Sequence, residues 1–187
     1  HVYGGHSDIR FNLFAYNRAE GADAHGLNGM GGAVHLSAPS GTFSNNTVVQ
    51  NSSGRECGGG GVSVDSGDNG ADWIVEKNII AWNGQRGVIC SGLAGPSIIR
   101  NNLIFGNNVS DRNCTLVSSR TLATFENNVE ADPMFCDPGG GDFHVARASP
   151  ALAGHEPWGM YTEAGCQIVP IVPSTWSAIK ARFHRAE

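Results

Sequence analysis

Asparagine returns in one apolar frame along this chain, at Asn12, Asn46, Asn78, Asn102 and Asn128. Ile9 leads to Asn12 and then Leu13 and Phe14; Phe43 leads to Asn46, Thr47 and Val48; Val75 to Asn78, Ile79 and Ile80; Ile99 to Asn102, Leu103 and Ile104. Phe125, Asn128 and Val129 form a fifth, decaying copy. Five residues after each of the first four stands a second asparagine: Asn17, Asn51, Asn83 and Asn107. Copies spaced 34, 32, 24 and 26 residues apart, with short strand-like runs between loops of varying length, are too small to close cores of their own. They have to stack, each burying its apolar side against the next, which is how a solenoid is built.

Asparagine tolerates bent, left-handed backbone and bonds its own neighbouring main chain, so it suits a corner between two strands. In coils stacked roughly 4.8 Å apart each amide can donate to the next, making a ladder. A third strand is expected in each coil, at residues 32–36, 61–65, 87–90 and, more weakly, 114–117. Three strands per turn, none longer than about six residues, predict an all-β, right-handed parallel β-helix of about five coils. In the strand after each ladder, Phe14, Val48, Ile80 and Ile104 should point inward. Leu13, Ala15, Val49, Ile79, Ala81, Leu103 and Phe105 then form an outward apolar stripe that needs a cover. The expected cover lies near the C-terminus, where Ser174 or Thr175 can cap a short helix that puts Trp176, Ile179 and Phe183 on one face.

The frame Asn-apolar-apolar-x-x-Asn-x-x-x-Gly-Gly resembles the right-handed β-helix repeats of the pectate-lyase-like superfamily, over residues 1–135. The run from Asp132 to Asp137, then Gly141 to Val145, then Ser149, Pro150 and Ala151, is similar to the closing segment of many secreted bacterial members. The organisation expected is a β-helix at 1–135, a closing segment at 136–167, and a linker with its amphipathic helix at 168–187, in a bacterial-type protein that is secreted or held at the cell surface. The resemblance says little of activity, because that superfold carries lyases, hydrolases, adhesins and inert scaffolds alike.

Composition fits a single domain with a long, narrow core: 187 residues, 26 of them Gly, 16% charged, net charge −5. A mildly acidic chain lacks the clustered Lys and Arg that neutralise phosphates, which argues against a nucleic-acid partner. No apolar run is long enough to span a bilayer. The chain begins at His1 without an initiator Met or a signal peptide, and residues 1–3 sit where the third strand of a preceding coil would lie, so a mature product or a piece of something longer is expected.

Cys90 and Cys114 each lie twelve residues after a ladder asparagine, so they should stack in adjacent coils, either as a disulfide or as two small buried apolar residues. Cys136 and Cys166 bracket the closing segment, where little core is available, and are expected to form a disulfide. Cys57 is left over.

Three groups of residues carry candidate chemistry. Asp65, Asp68, Asn69 and Asp72, with Glu76 closing the run, echo the oxygen spacing of a calcium loop, although Gly67 departs from it and strands flank it; the same composition also makes an ordinary polar turn. His35 should point outward on the third strand with Asp65 one coil on, which offers an acid and a base; an exposed histidine on a sheet face is equally a solvated residue. Tyr16, Trp73 and Trp82 sit at strand entries and exits, where rings can stack on sugars or can fill the edge of the core. A true N-terminal His1 would offer an amine and an imidazole for copper, as in oxidative polysaccharide cleavage. Arg55, Arg86 and Arg112 open successive third strands, where a lyase could use one or where they offset acidic loops. The paired-aspartate and Gly-His-Gly motifs of polygalacturonase-type enzymes are absent. The function expected is a secreted module that contacts polysaccharide without catalysis; the alternatives are a polysaccharide lyase or glycoside hydrolase, or a structural or cell-surface protein that stacks on further domains or on itself.

Overall fold

A computed structural model describes residues 5–19, 31–37, 40–53, 59–65, 72–84, 86–91, 96–107, 123–154 and 156–166. They are all-β and form three parallel sheets. The first holds β1 (His6–Arg10), β5 (Ser40–Ser44), β9 (Asp72–Glu76), β12 (Ile98–Arg100) and β14 (Thr124–Glu126), in that order. The second holds β2 (Leu13–Ala15), β6 (Thr47–Val49), β10 (Ile79–Ala81) and β13 (Leu103–Phe105). The third holds β4 (Val34–Leu36), β8 (Gly59–Asp65) and β11 (Arg86–Ser91). A short parallel pair, β3 (Arg18–Ala19) with β7 (Ser52–Ser53), continues the second corner, and an antiparallel hairpin, β15 (Phe135–Asp137) with β16 (Asp142–Val145), belongs to the closing segment.

The repeat fixes the register. Ile9, Phe43, Val75, Ile99 and Phe125 align across the first sheet. Phe14, Val48, Ile80 and Ile104 align across the second, and Leu36, Val64 and Cys90 across the third. These rows point into one core, joined by Val62, Trp73 and Val88. Cys90 is disulfide-bonded and lies in the same row as Leu36 and Val64.

At each corner the left-handed residue is the one before the asparagine, which refines the expectation from sequence. Phe11, Asn45, Lys77, Asn101 and Asn127 have φ of 51–56° before the first ladder, and Tyr16, Gln50 and Trp82 have φ of 52–59° before the second. Each such L-residue costs on the order of 1–2 kcal/mol. The asparagine that follows holds the bend. Oδ1 of Asn78 accepts the Asn46 backbone N–H at 2.8 Å and the Asn46 amide at 3.2 Å, while its own Nδ2 donates to Phe43 O and Asn102 Oδ1, both at 2.9 Å. The pattern runs through Asn12, Asn46, Asn78, Asn102 and Asn128, and again through Asn17, Asn51, Asn83 and Asn107. The Gly that follows the second ladder gives those amides room: a Cβ on Gly87 would stand 2.7 Å from Asn107 Nδ2.

Part of the outward stripe is covered by the closing segment. Ile79, Ala81 and Leu103 are buried with Val145 and Ala151, and Phe135, Leu152 and Trp158 pack against them. Gly159 N–H donates to Lys77 O at 2.7 Å, Met160 N–H to Thr47 Oγ1 at 3.1 Å, and Asn45 Nδ2 to Pro157 O at 2.9 Å, so the closing segment is stitched onto the second sheet. Cys136 and Cys166 are joined as expected, with their Cα atoms 5.1 Å apart. The Ser149 side chain donates to Pro133 O and accepts from Ala151 N, capping a 3-10 turn at Pro150–Leu152. The helix expected around Trp176, Ile179 and Phe183 lies outside the described residues, as do His1, Cys57, Arg55, Cys114 and Arg112.

Candidate binding face

Two of the three sheets have their outer faces occupied. The second sheet carries the closing segment. On the third, the outward row His35, Ser63, Ile89 is already inside the molecule, since Ser63 and Ile89 are buried and His35 is half-buried. The first sheet is the open one. Its side chains alternate as a strand requires: Trp73 and Val75 go in, while Asp72, Ile74 and Glu76 go out.

Three outward rows run across the sheet, the first over three strands and the other two over all five. The first is His6, Ser40 and Asp72, with His6 Nδ1 3.3 Å from Ser40 Oγ. The second is Asp8, Thr42, Ile74, Ile98 and Thr124. The third is Arg10, Ser44, Glu76, Arg100 and Glu126. Charges on this face neutralise one another: Arg10 pairs with Asp8, and Arg100 Nε lies 2.8 Å from Glu76 Oε2. Asp72 and Glu126 add two exposed carboxylates. At its edge Lys77 pairs with Glu156, whose carboxyl that hydrogen bond holds below the usual range. At strand spacing the five strands span roughly 19 Å. The result is a shallow, mildly acidic surface with two half-buried isoleucines in its middle row.

The residues singled out in the sequence are scattered by this fold. Trp73 is fully buried, so its ring cannot meet a sugar. It shares the inward parity of Val75, and its register partner Gly41 leaves the space its indole fills: a Cβ there would lie 2.5 Å from the ring. Tyr16 is 56% exposed, yet its hydroxyl donates to Pro138 O at 3.2 Å and its ring packs on Phe143. Trp82 packs edge-on against Phe135, which contacts Phe143 in turn. These two aromatics clasp the closing hairpin. His35 sits with Nδ1 3.3 Å from Ser63 Oγ; burial pushes its pKa below the ordinary imidazole value, against the opposing pull of the Asp65 carboxylate. An exposed histidine on an open face is therefore corrected to a half-buried one in an occupied face. Asp65 ends β8 and Asp72 opens β9, while Asp68 and Asn69 lie outside the described residues. No group of three or more metal-ligating side chains forms among the described residues. Arg86 does open the third-sheet strand β11, as expected.

Sequence reasoning missed two features. The outward rows were legible: positions two and four before each ladder asparagine give Arg10, Ser44, Glu76, Arg100, Glu126 and Asp8, Thr42, Ile74, Ile98, Thr124. The second feature carries no periodic signal. His144 Nδ1 lies 2.6 Å from Asp142 Oδ1, and the imidazole stacks on Tyr161 with centroids 3.8 Å apart. That side-chain hydrogen bond holds the Asp142 carboxyl below its ordinary range.

Comparison of the chain with protein-family models, curated proteins and solved structures gives no match. Fold and face therefore define the class by themselves: an all-β protein of stacked parallel sheets whose first sheet, among the described residues, keeps an open, mildly acidic outer face. Among the described residues no helix is long and apolar enough to cross a membrane.

Proposed function

We propose that this chain is a right-handed parallel β-helix of the pectate-lyase-like kind, exported by a bacterial-type cell, and that the open face of its first sheet binds a neutral polysaccharide. The observation that carries this reading is the face itself. Its arginines are each paired to a carboxylate on the same face, and two more carboxylates stand beside them. A polyuronate would meet excess negative charge there, whereas a neutral glycan asks only for what the rows offer. Ser40, Thr42 and the carboxylates can bond sugar hydroxyls, and Ile74 with Ile98 can lie under apolar C–H faces. Strand spacing of roughly 4.8 Å is comparable to the length of one pyranose unit, so successive sugars can repeat the same contact on successive strands.

Handedness is supported by the general preference of parallel crossovers for the right-handed path. Export is supported by the Cys136–Cys166 bond and by the disulfide at Cys90, since such bonds persist in oxidising compartments.

The test is a binding panel of cellulose, xylan and mannan against polygalacturonate and alginate, with and without calcium. Retention on a neutral glycan, lost when Ile74 and Ile98 are changed together to Glu, is the expected result. Binding confined to the polyuronates, or to none, overturns it. A second reading, lyase or hydrolase, is favoured by the His144–Asp142 pair, in which a carboxylate orients an imidazole. Release of unsaturated or reducing ends in the same panel, abolished by His144→Ala, would establish it.

A further inference from the structure

The first row of the open face gathers three reactive groups from three strands. His6, Ser40 and Asp72 are register partners on β1, β5 and β9, and all three point outward. His6 Nδ1 stands 3.3 Å from Ser40 Oγ, within reach for a nucleophile and its base, which are often this loose before a substrate docks. A contact of the same length recurs on the third sheet, between His35 Nδ1 and Ser63 Oγ, but Ser63 is wholly buried and no substrate can reach its hydroxyl. Ser40 is only half-buried, with His6 and Asp72 exposed on either side of it.

The next outward row holds Thr42 and Ile74, two residues or roughly 7 Å farther along β5 and β9. A pyranose seated on Ile74 can extend a ring substituent back along the strand to Ser40. The chemistry of the pair selects which substituent. A serine hydroxyl with an imidazole base attacks an acyl carbon, whereas cleavage of a glycosidic bond calls for two carboxyl groups across it. The Asp72 carboxylate, one strand spacing from Ser40, repels an anionic ester and accepts a neutral one.

Resting on the neutral-glycan reading of this face, we propose that Ser40 and His6 remove O-acyl groups, of which acetyl is the simplest, from the bound polysaccharide. Ser40 Oγ attacks the ester carbonyl carbon while its proton passes to His6 Nδ1. The adduct collapses, the bond from the acyl carbon to the sugar oxygen breaks, and His6 returns the proton to that oxygen, which leaves as a free hydroxyl. Water then attacks the acyl-serine, gives one proton through His6 to Ser40 Oγ, and releases the carboxylic acid. Ester and water become alcohol and acid, with no change of oxidation state.

Acetylated xylan, assayed for acetate release by the intact chain, tests the proposal. Ser40→Ala and His6→Gln should each lower the rate by about 100-fold or more. An alkyl fluorophosphonate should label the parent on Ser40, read by peptide mass, and His6→Gln at about a hundredth of that rate. Both side chains lie on the outer face, and circular dichroism checks that the variants remain folded. Acetate release that survives Ser40→Ala, or a label on another residue, overturns the proposal. Retention of the parent on deacetylated xylan with no acetate released from the acetylated form also overturns it and leaves the binding reading standing. Ser40-dependent acetate release without retention does the reverse.

Discussion

Asn78 is the place to test whether the ladder holds the molecule together. Its side chain is wholly buried and makes four hydrogen bonds. Replacement by Ala takes the side-chain partner from the Asn46 backbone N–H and from Phe43 O, whereas the Asn46 amide keeps Ile9 O and Asn102 Oδ1 keeps the Asn78 N–H. A buried polar group left unsatisfied costs about 1–3 kcal/mol, so two cost about 2–6 kcal/mol. For a chain of this size that is a fall in melting temperature of roughly 5–20 °C. Asn78→Asp keeps the shape but turns the donor into an acceptor facing Phe43 O and Asn102 Oδ1. Its folded pKa must rise above the unfolded value of about 3.9. The sign follows: the protonated form is favoured in the folded state, so the variant is at its best below the unfolded pKa and loses stability as pH rises through the folded one. Urea and thermal unfolding followed by circular dichroism should therefore rank Asn78→Asp below Asn78→Ala at pH 7, with the gap narrowing toward pH 4. Asn128→Ala, at the half-buried end of the ladder, should cost less than half as much. If Asn78→Ala unfolds with the parent, or no worse than Asn128→Ala, the ladder is an ornament of the corner and not its support.

Replacing Cys136 and Cys166 with Ser opens a loop with a sequence separation of 30 residues and should cost about 3–4 kcal/mol by loop entropy, read from urea midpoints; dye binding should rise as Ile79 and Leu103 are uncovered, and an unchanged midpoint would show that packing alone holds the segment. Burial holds the folded pKa of His35 below the ordinary imidazole value of about 6.5, so the unfolded chain takes up its proton first and stability should fall as pH drops below that value; His35→Gln should flatten the profile between about pH 7 and 5, and identical profiles would refute the assignment. Gly41→Ala should be destabilising by more than 1 kcal/mol, because its Cβ meets the Trp73 ring at 2.5 Å, and a neutral substitution would show the indole free to move. If Asp65, Asp68, Asn69 and Asp72 gather calcium, millimolar calcium added to chelator-stripped protein should raise the melting temperature and Asp65→Ala should abolish the rise; no response returns that run to an ordinary turn.

The repeat made most of the framework readable because its instructions are local. The apolar residue three before each asparagine names the inward row of the first sheet, and the second residue after it names the inward row of the next. Alternation along a strand does the rest. By that rule Trp73 was legible: two residues before inward Val75, it had to point inward as well, and reading it as a sugar platform neglected parity. The staple between Cys136 and Cys166 was legible too, because a segment with little core of its own needs a covalent tie.

The tertiary structure alone decided which faces stay open. The sequence shows an apolar stripe along Ile79, Ala81 and Leu103, but any downstream segment with apolar residues could cover it; Val145, Ala151 and Trp158 do so because the hairpin and its disulfide place them there. Burial of Ser63 and Ile89 in the third sheet likewise depends on packing that no periodicity encodes. Alternation dictates in or out relative to a strand. It says nothing of what lands on the outside, because docking depends on contacts between residues far apart in the chain, and so the face that the described residues leave open emerged only when the other two were filled.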